Sequence, residues 1–275
     1  MFYFNITMAM NLELRKFDIG EIKDDKVVVL IGKRDTGKSF LCKDILYHHQ
    51  NIPVGQVISG TEGANQFYSK IVPKLFIHEE FTTEIVQNML KRQKMMIDRI
   101  NKGEDLDPQA FLILDDCLYD NQWAKDKHMR SVFMNGRHYK LLFLLTMQYA
   151  LGIPPNLRTN IDYVFILREN YVSNRKRLYE HYAGMFPTFE MFCQVMDQCT
   201  ENYECLVINN NAKSNKLSDQ VFWYKANERP DFKIGGDAYW KYSQENFDQS
   251  GGAEKEEDFS GGKKKQQINV NKLLY

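Results

Sequence analysis

Residues 26–47 read Lys26-Val27-Val28-Val29-Leu30-Ile31-Gly32-Lys33-Arg34-Asp35-Thr36-Gly37-Lys38-Ser39-Phe40-Leu41-Cys42-Lys43-Asp44-Ile45-Leu46-Tyr47, and this stretch decides the fold. Its middle fits G-x-x-x-x-G-K-[ST] at every fixed position. The apolar, β-branched run before it suits a parallel strand buried on both faces, and the apolar residues after it recur at helical spacing. A strand, a glycine turn and a helix N-terminus in that order make a phosphate cradle. The glycines let backbone N–H groups turn inward, and the helix end adds partial positive charge. Gly32, Lys33, Arg34, Asp35, Thr36, Gly37, Lys38 and Ser39 are therefore expected to bind ATP. Lys38 would reach the β- and γ-phosphates, and the Ser39 hydroxyl would bind Mg²⁺. An ordinary glycine turn matches such a pattern by chance at times, but here both flanks agree with it.

Hydrolysis needs a second element, an acid at the end of another buried strand. Ala110-Phe111-Leu112-Ile113-Leu114-Asp115-Asp116 supplies it: four large apolar residues run into two carboxylates. Asp115 is expected to hold Mg²⁺, directly or through water. Asp116 is expected to act as base or to position the attacking water. The competing explanation is a helix N-cap acid and its neighbour after a core strand. A third apolar run, Leu141-Leu142-Phe143-Leu144-Leu145-Thr146-Met147-Gln148, ends in the polar residues Thr146 and Gln148. Gln148 fits a sensor that touches the γ-phosphate, or else a residue capping the next loop. Two arginines are candidates for the charge that develops in the transition state. Arg137 lies in Asn135-Gly136-Arg137-His138, whose glycine-containing loop is expected at the edge of the nucleotide cleft. Arg158 follows Pro154-Pro155-Asn156-Leu157.

Composition sets the bounds. A chain of 275 residues with 13% aromatics suits one α/β domain with extensions. Its formal net charge is zero, so any nucleic-acid contact must come from a local patch. The five cysteines include no C-x-x-C pair, which points to reduced thiols rather than a disulfide framework or a zinc site. No apolar run has the length of a membrane span. The first ten residues are apolar without a basic lead-in, so no signal peptide is expected. Met8 and Met10 leave the natural start open.

Along the chain, residues 1–25 form a lead-in with a strand and turn over 12–25. Residues 26–230 form the ATPase domain with a helical and strand annex at its end, and 231–275 form a C-terminal extension that is flexible from about 249. A strand is expected over 55–60 and a helix over 83–102. Ile85, Met89, Met96 and Ile100 give that helix part of an apolar face, and Lys91, Arg92, Lys94, Arg99 and Lys102 load it with positive charge. Such a face is either solvated or meets DNA phosphate. Further helices are expected around 125–134, over 174–185 and over 189–198. Strands are expected over 161–167, 204–208 and 221–224. Two Ser-Gly-Gly blocks and a lysine triplet mark the tail.

The phosphate loop, the strand ending Asp115-Asp116, Gly136-Arg137-His138 and the Gln148-ending strand together resemble the FtsK–HerA group of P-loop motors. Within it they resemble the poxvirus-type DNA-packaging ATPases of nucleocytoplasmic large DNA viruses. The similarity runs from about residue 27 to 167. Asp116 departs from the Glu of the wider group and suits this viral branch. The resemblance implies an α/β fold, a P-loop NTPase with a central parallel sheet flanked by helices. The sensor strand would lie between the phosphate-loop and acidic strands. It implies a Mg²⁺-dependent ATPase that threads double-stranded viral DNA into a capsid. The working form would be a homo-oligomeric ring of five or six subunits beside a capsid or portal-vertex protein, at the assembly site in the host cytoplasm and in the virion. Arg137 would be given in trans, with Arg158 as the alternative. Two other classes stay open: a P-loop small-molecule kinase, with residues 168–177 as a lid, and a nucleotide-switch DNA- or scaffold-binding protein.

Overall fold

The computed structural model describes residues 12–117, 121–149 and 152–247. Eight strands form one sheet: β1 (Val27–Ile31), β2 (Val54–Ser59), β3 (Ile77–His78), β4 (Ala110–Asp115), β5 (Leu141–Met147), β6 (Tyr163–Ile166), β7 (Glu204–Asn209) and β8 (Val221–Lys225). Nine α-helices connect and flank them among the described residues: α1 (Lys38–Tyr47), α2 (Glu62–Asn65), α3 (Thr83–Asn101), α4 (Lys127–Asn135), α5 (Pro155–Arg158), α6 (Val172–Tyr182), α7 (Phe189–Cys199), α8 (Leu217–Gln220) and α9 (Asp237–Asn246). The sheet order is β3-β2-β4-β5-β1-β6-β7-β8. From β3 to β6 every pairing is parallel, while β6–β7 and β7–β8 are antiparallel. The expected order is therefore observed: the sensor strand β5 pairs with the phosphate-loop strand β1 on one side and the acidic strand β4 on the other.

The central strands are continuous apolar runs because both faces are covered. Successive side chains point to opposite faces, so each strand feeds two cores. Val27, Val29 and Ile31 of β1 pack with Leu112 and Leu114 of β4, Phe143 and Leu145 of β5, and the buried stripes of α3, α4, α6 and α7. Val28 and Leu30 pack on the other face with Phe111, Ile113, Leu142, Leu144 and the α1 residues Leu41, Cys42, Ile45 and Leu46. Local capping sets the helix starts. The Thr82 hydroxyl accepts from the Ile85 amide ahead of α3. The Asp126 carboxylate accepts from the His128 and Met129 amides ahead of α4, and Thr188 accepts from Met191 ahead of α7.

Three expectations need correction or extension. The lead-in strand over 12–25 is reduced to a single bridge, Lys16 beside Trp223, followed by a 3₁₀ turn at Ile19–Glu21. Phe17 anchors it among the rings of Tyr163, Phe165, Phe222 and Tyr224. The helix expected over 174–185 starts at Val172 and ends at Tyr182. Residues 231–247, taken as extension, are folded onto the domain. Phe232, Ile234 and Tyr239 are buried, and the Tyr239 hydroxyl donates to the Gly55 carbonyl at 2.7 Å. The tail from 249 and the N-terminal methionines fall outside the described residues. Among those described, no helix is long and apolar enough to cross a membrane.

Candidate functional site

The site sits where the parallel strands end. Gly32 follows β1, and its amide donates to the Met147 carbonyl of β5 at 3.0 Å. The chain then turns through the loop into α1. Gly37 adopts φ 98°, a left-handed conformation that side chains disfavour. A Cβ on Gly32 would lie 2.6 Å from the Thr36 hydroxyl and 2.8 Å from Leu167, so the close approach there also requires glycine. Thr36 closes the loop on itself, its hydroxyl donating to the Lys33 carbonyl at 2.8 Å.

Lys38 is buried, and its ammonium donates to the carbonyls of Gly32 (2.8 Å) and Lys33 (3.0 Å). It also lies 3.5 Å from an Asp116 carboxylate oxygen. The same oxygen is 3.4 Å from the Gln148 side-chain nitrogen. Thr146 joins the two acids. Its hydroxyl donates to Asp115 Oδ1 at 2.6 Å and accepts from the Asp116 amide at 3.0 Å. Asp116 adopts φ 46°, so the chain leaves β4 through a left-handed residue. Lys38, Asp115, Asp116 and Gln148 are thus gathered from α1, β4 and β5, as the motifs led one to expect. Thr146 supplies the link between the acids, for which the sequence reading had given it no role.

Burial pushes the Asp115 carboxyl above its usual range, with repulsion from Asp116 adding to this, while the Thr146 hydroxyl and Lys38 pull it back. A buried carboxylate short of positive charge suits a cation. With the Ser39 hydroxyl at the start of α1, Asp115 offers the oxygen chemistry Mg²⁺ takes. Among the described residues no group of three or more His, Cys, Asp or Glu side chains forms a metal cluster. Mg²⁺ needs none, since it is held by one or two carboxylates, waters and substrate phosphates.

The rest of the loop divides by partner. Arg34 and Asp35 are exposed. Lys33 turns away to Glu169 Oε1 at 2.6 Å and lies 3.6 Å from the centre of the Tyr171 ring. Burial raises the Glu169 pKa, but Lys33, the Tyr171 amide and Asn174 outweigh it and hold the carboxyl below its usual range. This contact pins the phosphate loop to the start of α6. Arg177 of α6 consequently lines a small cleft with Gly32 and Gln148. Nothing in the sequence singled out Arg177 from the other basic residues of that helix.

Arg137 is elsewhere, and the expectation that its loop borders the nucleotide cleft is corrected. The loop precedes β5, which runs parallel to β1, so it opens where the strands begin. That is roughly 15–20 Å from the phosphate loop by the rise of five extended residues. The guanidinium instead binds Asp162 at 2.7 Å, beside Lys26 at 3.4 Å from the same carboxylate oxygen. Arg158 lies over the Tyr182 ring, 5.8 Å from its centre. On α3, Lys91 and Lys94 are exposed, Arg99 pairs with Glu104, and Arg92 turns inward to Gln93 and the Pro108 carbonyl. The basic face is thus narrower than the sequence suggested. The apolar side uses Val86, Met89, Leu90 and Met96.

A phosphate loop, an adjacent polar-ended strand and a paired acid on the parallel part of one sheet define a P-loop NTPase fold. The genome packaging NTPase B204 of Sulfolobus turreted icosahedral virus 2, solved in complex with sulfate, shares it. The TM-score is 0.55 at 18% identity, over 76% of this chain and 100% of that one. The same protein in complex with AMP gives 0.54 at 17% identity, over 75% and 100%. No protein-family model matches the chain. Two curated relatives are much nearer in sequence. Uncharacterized protein L437 of Acanthamoeba polyphaga mimivirus is 44% identical over 222 residues, 79% of this chain and 78% of the relative. Uncharacterized protein 075L of Invertebrate iridescent virus 6 is 42% identical over 226 residues, 81% and 86%. The chain belongs to this family of large-DNA-virus proteins, and the resemblance noted from its motifs is borne out.

Proposed function

We propose that the protein is a Mg²⁺-dependent ATPase that drives double-stranded DNA into a viral capsid. The observation that carries the hydrolytic part is the gathering of Lys38, Asp116 and Gln148 around one point at the strand ends. The Lys38 ammonium donates to two loop carbonyls and forms an ion pair with Asp116 at 3.5 Å. A γ-phosphate entering the loop competes for the ammonium and releases Asp116. The freed carboxylate then orients a water for attack, with the Gln148 amide beside it. Bound Mg²⁺, held by Ser39 and Asp115, would neutralise phosphate charge. The DNA-packaging part is supported by membership in a family of large-DNA-virus proteins and by a fold shared with a viral genome packaging NTPase.

Action in a ring would need an arginine from a neighbour. Arg137 and Arg158 both remain candidates for that, because neither is held at the chain's own phosphate loop. Exposed Lys91 and Lys94 are the DNA-phosphate contacts we propose on α3. The capsid or portal vertex would be the assembly partner, in the host cytoplasm and in the virion. The test is ATP turnover by the full chain with and without long duplex DNA. Stimulation by DNA supports the motor. Turnover that needs a small acceptor would instead make the protein a kinase, and DNA binding without turnover a nucleotide switch. Arg175 argues against a kinase lid over residues 168–177, since it is tied down to Asp197 at 2.6 Å and to the Glu169 carbonyl.

A further inference from the structure

The phosphate loop has two sides. On the β4–β5 side stand Asp116 and Gln148. On the other, β6–β8 side, an open cavity of about 420 Å³ begins at Gly37 itself. Its walls are mainly apolar: Phe40, Leu41, Leu167, Cys205 and Ala226, with Tyr203 at the mouth. Lys225 and Glu228 complete the lining. The volume falls within the range of small-ligand sites, roughly 300–1,000 Å³. Tyr203 is 69% exposed and Phe40 41%, both high for large apolar side chains with no structural burden.

Tyr203 is held there at a cost. It adopts φ 65°, directly after Asn202 at φ 51°. Asn tolerates the left-handed region, but for Tyr it is strained, because its Cβ crowds the following carbonyl oxygen. The turn directs the ring at the phosphate loop: a Cβ built on Gly37 would lie 3.5 Å from Tyr203 Cδ1. The cavity adjoins the phosphate loop at Gly37, so it lies within reach of the far end of a nucleotide whose terminal phosphate is at Lys38 and Asp116.

We propose that this cavity takes the nucleobase, with the Tyr203 ring as its stacking face. The inference rests on the phosphate loop binding a nucleotide and adds which residues hold the base. Stacking on an aromatic ring is tolerant of base identity and is lost on truncation to alanine. Contacts to the phosphates do not depend on it. Tyr203 is a binding residue that touches no reacting atom, so its effect belongs in affinity rather than in the chemical step.

The experiment titrates the full chain, in Mg²⁺ buffer, with ATP and separately with inorganic tripolyphosphate. Wild type should bind ATP more tightly than tripolyphosphate. Tyr203→Ala should weaken ATP by about ten- to a hundredfold and change tripolyphosphate by less than about twofold. Tyr203→Phe should keep ATP affinity. Tyr203→Gly should lose it like the alanine variant yet melt higher than that variant, because glycine relieves the left-handed backbone. Tyr203→Ala binding ATP as wild type does, or losing both ligands equally, would overturn the proposal. So would a wild type that binds the two ligands alike. A wild type that binds neither would instead overturn the nucleotide-site assignment on which the proposal rests.

Discussion

Replacing Thr146 by valine keeps shape and removes one hydroxyl. Thr146 is 1% exposed, and its hydroxyl serves both acids, donating to Asp115 and accepting from the Asp116 amide. A hydrogen bond to a charged group contributes about 1.5–3 kcal/mol, and an amide left buried without a partner costs about 1–3 kcal/mol. The two effects overlap, and valine recovers a little through apolar packing, so the net loss should be about 2–5 kcal/mol near neutral pH. For a chain of this size that lowers the melting temperature by on the order of 10 °C. Thr146→Ser keeps the hydroxyl and should lose far less. The pH dependence follows from Asp115, whose pKa burial raises above the ordinary carboxylate value in the folded protein. The folded state therefore binds more protons than the unfolded state in that window. Wild-type stability falls as pH rises from below the ordinary carboxylate value through the raised pKa. Without the Thr146 hydroxyl the pKa climbs further, so the valine variant loses more over a window that reaches higher pH. The deficit should be largest well above that window and shrink below it. Urea unfolding of the three proteins at several pH values measures this. A Thr146→Val deficit under about 0.5 kcal/mol at neutral pH, or one that grows on acidification, refutes the linkage between the two acids.

Asp115→Asn should raise the melting temperature of the nucleotide-free protein, because it removes a buried charge, and should weaken Mg²⁺-dependent ATP binding in calorimetry. Asp116→Asn should leave ATP affinity nearly intact and stop single-turnover hydrolysis; equal affinity losses in both variants would end this division of labour. Lys38→Ala should abolish ATP turnover, and mixing it with inactive Arg137→Ala should partly restore activity if Arg137 acts on a neighbour. Arg137→Ala should also destabilise the fold, by about 1 kcal/mol or more in urea unfolding, since Asp162 is buried and loses a partner. Lys91→Gln with Lys94→Gln should lower DNA-stimulated turnover in a salt-dependent way and leave basal turnover alone.

The phosphate loop was legible because its chemistry is local. Eight consecutive residues carry the turn, the glycines and the lysine, and the flanking periodicities name a strand and a helix. The buried strands were legible for the same reason, since burial on both faces removes alternation and leaves runs such as residues 110–114 and 141–145. Even the acidic pair announced itself, as carboxylates are rare directly after such runs. Positions that depend on which strand end a loop occupies were not legible from residue type. Arg137 sits beside a motif in sequence, yet a parallel strand opens at the far end of the sheet, so the arginine meets Asp162. Arg177 and Tyr203 lie far along the chain from residue 39 and carry no local mark. Only the order β4-β5-β1-β6-β7-β8 brings α6 and the turn before β7 up to the loop. Sequence by itself determined the central strands, most of the flanking helices and the pattern of the phosphate loop, because covalent neighbours dictate them. The tertiary structure decided which distant side chains share that site, because strand order and direction, set by packing on two faces, are properties of the whole sheet.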